Sequence, residues 1–426
     1  MVPLTTRNGL DPAELVARVH GRDVLVWGTG DLALDVVTSL RKSGIEPSAL
    51  LHSRTGTAHV HGLPVRDAEA TLAARADAFV VIAAPAFGAQ ARATCLQRGL
   101  RPDLDFLTYL SIARPQAVID VADDCAQGCL GCQKQTTGRP AAPMMMDIGH
   151  FSRVVDKLGR DIPQLCHVEL GVWGEPLRNP ALPAMIELTR RVAPCTVSTG
   201  LGGDQPLRPI VAAEPNRIDI TASGFGDGYE SRTGRGWQDF IGRLDELRDA
   251  LRDVPGDIRC QIKLYRMHGD AESVVAAWRD LLGDAPIKLS PQTPYLMPYD
   301  QVLRYCEHGS PSQAAQRAID ALPWSIDTAL DACAADRGLP CLSQRVFPVI
   351  HADRSVGLCH LFHAPSVDAD YLATPWPQIL AQRHTSQFCA RCQRFGLHRL
   401  DFDVLTRRHP EGAFFKPQPD ETRHEH

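Results

Sequence analysis

The chain has 426 residues, of which 44% are hydrophobic and 22% charged, enough for two or three domains with ample cores. A formal charge of −5 and a pI near 6.3, with no basic run, disfavour nucleic acid and anionic membrane as partners. No segment approaches the roughly 20 apolar residues of a membrane span, and Met1 to Arg7 has no signal-peptide pattern. The 13 cysteines therefore read as metal ligands or free thiols, and the expected location is cytoplasmic.

The first elements alternate strand and helix. Asp23–Trp27 reads as a buried strand running into Gly28-Thr-Gly30-Asp-Leu-Ala33, which opens a helix that continues through Leu40 and stops near Gly44. Ala49–Leu51 and Ala78–Ala83 are further strands, followed by helices over Ala68–Arg75 and through Leu96 to Gly99. The pattern predicts an α/β fold with a parallel sheet over residues 1–112. Gly28, Gly30 and Ala33 stand where a dinucleotide fingerprint would. The acidic ribose partner is missing, and His52-Ser53-Arg54 suits a phosphate better than a diol. With Gly62-Leu-Pro-Val65, the unit resembles Rossmann-like domains of polysaccharide and nucleotide-sugar proteins. A bound nucleotide and a pure scaffold both stay open here, ahead of NAD(P) redox chemistry.

Ala113–Gln116 reads as a linker, after which a second series of strands begins. Its members are Val118–Val121, Cys166–Leu170, Cys195–Ser198, Arg217–Thr221, Ile258–Tyr265 and Ile287–Pro291. Helices over Phe151–Leu158, Leu182–Val192 and Trp237–Leu251 separate several of them. The series occupies residues 117–310; 311–340 is a helical connection, 341–400 a cysteine-bearing module and 401–426 a tail, disordered beyond Pro410.

After the first strand of that series comes Asp124-Cys-Ala-Gln-Gly-Cys-Leu-Gly-Cys132, which places Cys125, Cys129 and Cys132 at C-x3-C-x2-C spacing. A [4Fe–4S] cluster normally takes four cysteines, so three leave one iron without a protein ligand. Structural zinc would want a fourth ligand nearby, and the next cysteine is Cys166.

This triplet resembles that of the radical S-adenosylmethionine (radical SAM) superfamily. The resemblance implies a partial (β/α)6 barrel in which S-adenosylmethionine chelates the open iron and is split reductively to a 5′-deoxyadenosyl radical. It also implies a flavodoxin or ferredoxin-type electron donor. Trp173-Gly174-Glu175-Pro176 is similar to the family's GGEP element, with Trp173 in place of a glycine, and Glu175 or the adjacent backbone carbonyls suit acceptance from the methionyl ammonium. Val197-Ser198-Thr-Gly200 resembles the TNG turn, and Asp219-Ile-Thr-Ala-Ser223-Gly224 the strand end that presents a serine to the cofactor. Tyr229-Glu-Ser-Arg232-Thr-Gly234 resembles a loop common in the family before a long helix, where Arg232 reads equally as a bidentate partner of the cofactor carboxylate and as an exposed loop arginine. The aromatic residue that often precedes the third cysteine is replaced by Leu130-Gly131.

On the fifth strand of the series, Gln261, Lys263 and Tyr265 alternate with Cys260, Ile262 and Leu264. The polar set is expected inside the barrel, with Gln261 toward the cofactor and Lys263 and Tyr265 as catalytic candidates. Glu169 on the second strand joins them. Cys260 is expected under a helix, which argues against it as a hydrogen donor.

Cys341, Cys359, Cys389 and Cys392 form C-x17-C-x29-C-x2-C, four thiolates able to close a second cluster or a zinc site. Val349 to Cys359 resembles the strand–turn–strand of SPASM and twitch modules, with Arg354 in place of the usual turn glycine, and the single-cluster twitch form fits best. Cys333, His360 and His363 are substitute ligands, while Cys95, Cys166, Cys195 and Cys306 read as ordinary cysteines.

The expected activity is radical SAM oxidation or epimerisation of a small polar metabolite, such as a sugar, nucleotide-sugar or aminocyclitol. Peptide maturation is an alternative within the same chemistry. A nicotinamide-dependent oxidoreductase or an iron–sulfur redox sensor is an alternative outside it.

Overall fold

A computed structural model describes residues 19–52, 59–75, 77–84, 88–102, 104–108, 116–125, 127–130, 132–136, 144–163, 165–254, 258–265, 272–292, 299–310, 313–322, 325–334, 337, 341 and 347–399. Ser53, Arg54, the linker residues 113–115, Gly131 and the tail 401–426 lie outside them. The chain divides into two compact units, Met1–Gln116 with Leu158–His167, and Ala117–Lys157 with Val168–His426. No helix of the described residues is long and apolar enough to cross a membrane.

The first unit carries β1 (Val24–Trp27), β2 (Ala49–His52), β3 (His59–Val60), β4 (Leu63–Asp67), β5 (Phe79–Ile82) and β6 (Phe106–Thr108). Their order is β3-β4-β2-β1-β5-β6, parallel throughout except for the short β3 edge. β1 and β5 are buried at every position, as apolar runs covered on both sheet faces must be. One core joins Val24, Val26 and Phe79 to Val36 and Leu40 of helix Asp31–Lys42. The opposite core joins Leu25, Trp27 and Val80 to Leu72 and Cys95. Chain order reverses at β1, the arrangement of a doubly wound sheet.

Gly28 follows β1 at φ +140°, and a Cβ there would lie 2.3 Å from the Ala83 carbonyl oxygen. The segments leaving β1 and β5 therefore touch backbone to backbone, which accounts for this glycine by packing alone. Gly30 caps helix Asp31–Lys42 at φ −82° with no side-chain cap, and Ala33 is fully buried behind it.

The second unit carries β7 (Gln116–Ile119), β8 (His167–Leu170), β9 (Cys195–Thr199), β10 (Arg217–Ala222), β11 (Arg259–Tyr265), β12 (Ile287–Gln292), β13 (Val349–Ile350), β14 (Ser355–Cys359) and β15 (Phe362–Asp370). They form one sheet ordered β12-β11-β10-β9-β8-β7-β13-β14-β15. From β7 to β12, neighbours follow chain order without reversal, and β8 to β12 pair in parallel. This is the connectivity of an opened (β/α) barrel. β13 adds to β7 in parallel, and β14 and β15 turn back antiparallel, so the C-terminal module continues the same sheet.

Gly28→Ala should lower the stability of the first unit by about 1–3 kcal/mol, because a left-handed φ and a backbone clash coincide there. Gly30→Ala, with nothing within 4 Å of its Cβ, should cost much less. Urea unfolding checks both, and an unchanged midpoint for Gly28→Ala would contradict the packing account.

Candidate functional site

The site is assembled where the segments after β7, β8, β9 and β10 meet. Asp120, directly after β7 and only 2% exposed, accepts from Val172 N and Trp173 N, each at 2.9 Å. Its other oxygen lies 3.2 Å from His351 Nδ1. Burial pushes this carboxyl up, but the His351 bond and charge and the two amides outweigh it and hold it below the ordinary range. Two residues on, a Cβ at Gly174 would lie 1.7 Å from the Ala122 carbonyl. Glu175 N donates to Asp124 O at 2.9 Å. The cysteine loop and the Trp173–Pro176 turn are thus locked together.

Glu175 is 2% exposed. Its Oε1 accepts from Thr199 Oγ1 at 2.6 Å and Leu177 N at 3.1 Å; its Oε2 accepts from Gly200 N at 2.9 Å and Gly202 N at 3.1 Å. Four donors fill a carboxylate. The groups of this turn left to accept from a further donor are therefore backbone carbonyls, while Glu175 fixes the Thr199–Gly202 turn. Pro176 opens the short turn Pro176–Arg178. Asn179 then ties this turn to the Val121 and Met146 carbonyls at 2.8 and 2.9 Å.

The cysteine loop is held from the other side by helix Asp227–Thr233 and its end. Gly128 N donates to Thr233 O at 2.9 Å and Leu130 N to Arg232 O at 2.8 Å. Gln127 bridges from Cys129 Sγ at 3.5 Å to the Gly200 carbonyl at 3.0 Å. Burial pushes the Cys125 thiol up to about 11 and the Cys129 thiol up to about 12, and each is raised further by the charge of Cys132. The three sulfurs therefore share one neighbourhood. Beside them Tyr229 is fully buried. The phenol is pushed up to about 12, chiefly by burial, with Cys129 among the charges that act on it. Three thiols on one loop that act on one another are the donor set a sulfur-ligated iron cluster takes.

On the sheet face, register puts Ser198 beside Asp219 and Asp219 beside Gln261. Asp219, fully buried, pairs with Lys263 Nζ at 2.6 Å and Arg217 Nε at 3.1 Å. It also accepts from Gln261 Nε2 at 2.8 Å. Burial would lower the Lys263 pKa, but Asp219 and then Glu169 outweigh it and hold Lys263 well above its ordinary value. Lys263 is therefore held as a cation beside Asp219. Ser198 Oγ donates to Glu169 Oε1. Cys260, Ile262 and Leu264 are buried on the opposite face. Ser223 Oγ donates to the Tyr265 carbonyl at 3.1 Å, joining the ends of β10 and β11; Arg232 is half-buried.

The four C-terminal cysteines also converge. The ionisation of Cys392 is opposed by Cys359, Cys341 and Cys389, and that of Cys359 by Cys341 and Cys389, after burial in each case. Cys359 ends β14, while Cys389 and Cys392 lie one turn apart on helix Gln387–Arg394. Arg354 takes φ +70° in the β13–β14 turn, a conformation in which glycine is unstrained. Its side chain reaches Asp370 at 2.9 Å. His360 stacks against Phe347, and burial pulls His363 down to about 4 beside Trp173. The side chain of Cys333 is outside the described residues. Cys95, Cys166 and Cys195 are buried and Cys306 half-buried. Among the described residues, no three or more His, Cys, Asp or Glu side chains are drawn together around a single metal ion.

Sequence reasoning gave no role to Asp120 or Gln127, and named Asp219 and Tyr229 only as the first residues of loops it matched. Asp120 and Asp219 carried a signal, a carboxylate ending or interrupting an apolar strand. The others carried none.

No protein-family profile matches the chain, and no curated protein matches it. Among solved structures it is similar to BtrN in complex with AdoMet and 2-DOIA, at 12% identity over 69% of this chain and 92% of that one, TM-score 0.38. It is also similar to Streptococcus suis SuiB bound to precursor peptide SuiA, at 11% over 72% and 74%, TM-score 0.43. A third is native anSMEcpe with bound AdoMet, at 12% over 67% and 88%, TM-score 0.37. Likenesses of this size fix no assignment.

Glu175→Gln should destabilise the second unit by about 1–3 kcal/mol, because one amide nitrogen would face donors where an oxygen now accepts. A lowered urea midpoint checks this. An unchanged midpoint would mean that the carboxylate is not the anchor of the Thr199–Gly202 turn.

Proposed function

We propose that the chain is a radical SAM enzyme with a twitch-type auxiliary cluster, acting on a small polar metabolite. The observation that carries this reading is three half-buried thiols on one loop, locked by backbone bonds to the neighbouring turns, with the buried Tyr229 beside them. Cys125, Cys129 and Cys132 would hold the open-iron cluster, and Cys341, Cys359, Cys389 and Cys392 the closed one. When loaded, the first site with S-adenosylmethionine supplies a 5′-deoxyadenosyl radical that takes a hydrogen atom from substrate, and the second supplies an acceptor for one further electron.

The remaining work falls to the chain. Carbonyls of the Trp173–Pro176 turn accept from the methionyl ammonium, because the Glu175 carboxylate is already filled. The Glu169, Ser198, Gln261 and Lys263 face, with Asp219 beneath it, offers donors and acceptors of both charges to a hydroxylated or amino substrate. Since Lys263 is held charged, Glu169 is the group that takes a proton. Loss of one hydrogen atom, one proton and one electron converts an alcohol to a carbonyl, so oxidation is favoured over epimerisation. The buried Cys260 points away from this face and is no hydrogen donor. A flavodoxin or ferredoxin-type protein is the reductant, in the cytoplasm. The close packing of Gly28 explains the glycine-rich turn without a nicotinamide cofactor, which weighs against the dehydrogenase reading.

Anaerobically reconstituted protein given dithionite and S-adenosylmethionine should release 5′-deoxyadenosine. Iron of about eight per chain should fall to about four, with loss of the product, when Cys125, Cys129 and Cys132 are all replaced by alanine. Absence of 5′-deoxyadenosine, with NADPH consumed instead, would overturn the proposal.

A further inference from the structure

Arg383 lies on helix Trp376–His384 and is fully buried. Its Nε and Nη2 donate to the Leu358 carbonyl at 2.9 and 2.6 Å, and Nη2 donates also to the Phe347 carbonyl at 2.8 Å. Leu358 immediately precedes Cys359, so the guanidinium is clamped against the backbone that carries one of the four thiols. The helix bearing Cys389 and Cys392 begins four residues after Arg383. The carbonyls that hold Arg383 are neutral, and after burial itself Cys359, Cys341 and Cys389 are among the ionisable groups acting on it.

A buried cation is costly unless it meets negative charge. Four neutral thiols would not supply that charge. Four thiolates around a [4Fe–4S] core of charge 2+ carry a net 2−, and 3− after gaining one electron. A fixed positive charge beside them stabilises both forms, and the reduced one more.

We propose that Arg383 is the built-in counter-charge of the centre at Cys341, Cys359, Cys389 and Cys392 and raises its reduction potential. This rests on the reading of that module as a cluster site. Arg383 is a positioning and tuning residue, since it acts through the centre and not on substrate.

The test uses the full chain with Cys125, Cys129 and Cys132 replaced by alanine and reconstituted without air, so that the C-terminal centre is observed alone. A redox titration followed by electron paramagnetic resonance compares Arg383, Arg383→Gln and Arg383→Lys. Glutamine keeps hydrogen-bond donors without the charge; lysine keeps the charge without the fork. Arg383→Gln should make reduction at least tenfold less favourable, about 59 mV for one electron, and Arg383→Lys should stay closer to the parent. A smaller shift in Arg383→Gln, with the centre loaded, overturns the inference. If Arg383→Gln loses its iron, retention by Arg383→Lys supports the counter-charge, and equal loss from both overturns it. No iron in the parent, or zinc in its place, overturns the cluster reading itself.

Discussion

Asp120 holds the second unit's site together. One carboxylate at the end of β7 accepts from two amides of the turn after β8 and pairs with His351 just beyond β13. Three chain segments far apart in sequence meet on two oxygens, in a place where burial makes every unsatisfied donor costly. The cysteine loop leaves β7 only a few residues later, so its course is set before its first sulfur. Gly174 against the Ala122 carbonyl then closes the joint, since no side chain fits between the two backbones.

From that joint outward, side chains that seem available for chemistry turn out to hold loops. Glu175 fixes the turn after β9, Asn179 fixes the segment after β7, and Ser223 fixes the end of β11. What remains is backbone around the cysteines and a charged face on the strands. There, Asp219 keeps Lys263 ionised, and Glu169 accepts from Ser198 beside it. The same logic recurs at the C-terminal cysteines, where a fully buried arginine is gripped by carbonyl oxygens beside four thiols.

The sequence made much of this legible, and the reasons can be named. The strands of the second unit up to β12 were readable because each is an apolar or alternating run bounded by turn residues, and the structure matches them within two residues: Arg217–Thr221 against Arg217–Ala222, Ile287–Pro291 against Ile287–Gln292. In the first unit β3 escaped, as β15 did in the second, and so did β4 and β6. Pro64 and Arg66 interrupt the apolar run of one, and the other is three residues long. The cysteines were legible by spacing, as was the polar face of β11 by alternation. The partners of those residues were not. Which oxygen accepts from which amide depends on segments brought together by the fold, so Glu175 reads in sequence as a cofactor ligand and in space as a loop anchor. Arg383 sits in an ordinary helical stretch, and only its burial reveals it.

The central claim is that the centre at Cys125, Cys129 and Cys132 has one iron that the protein leaves for S-adenosylmethionine. Electron–nuclear double resonance on the reduced, air-free protein with nitrogen-labelled S-adenosylmethionine tests it most directly. The account predicts coupling of the amino nitrogen to a cluster iron, lost when Cys129 is replaced. A reduced centre whose spectrum is unaltered by the labelled compound would contradict it.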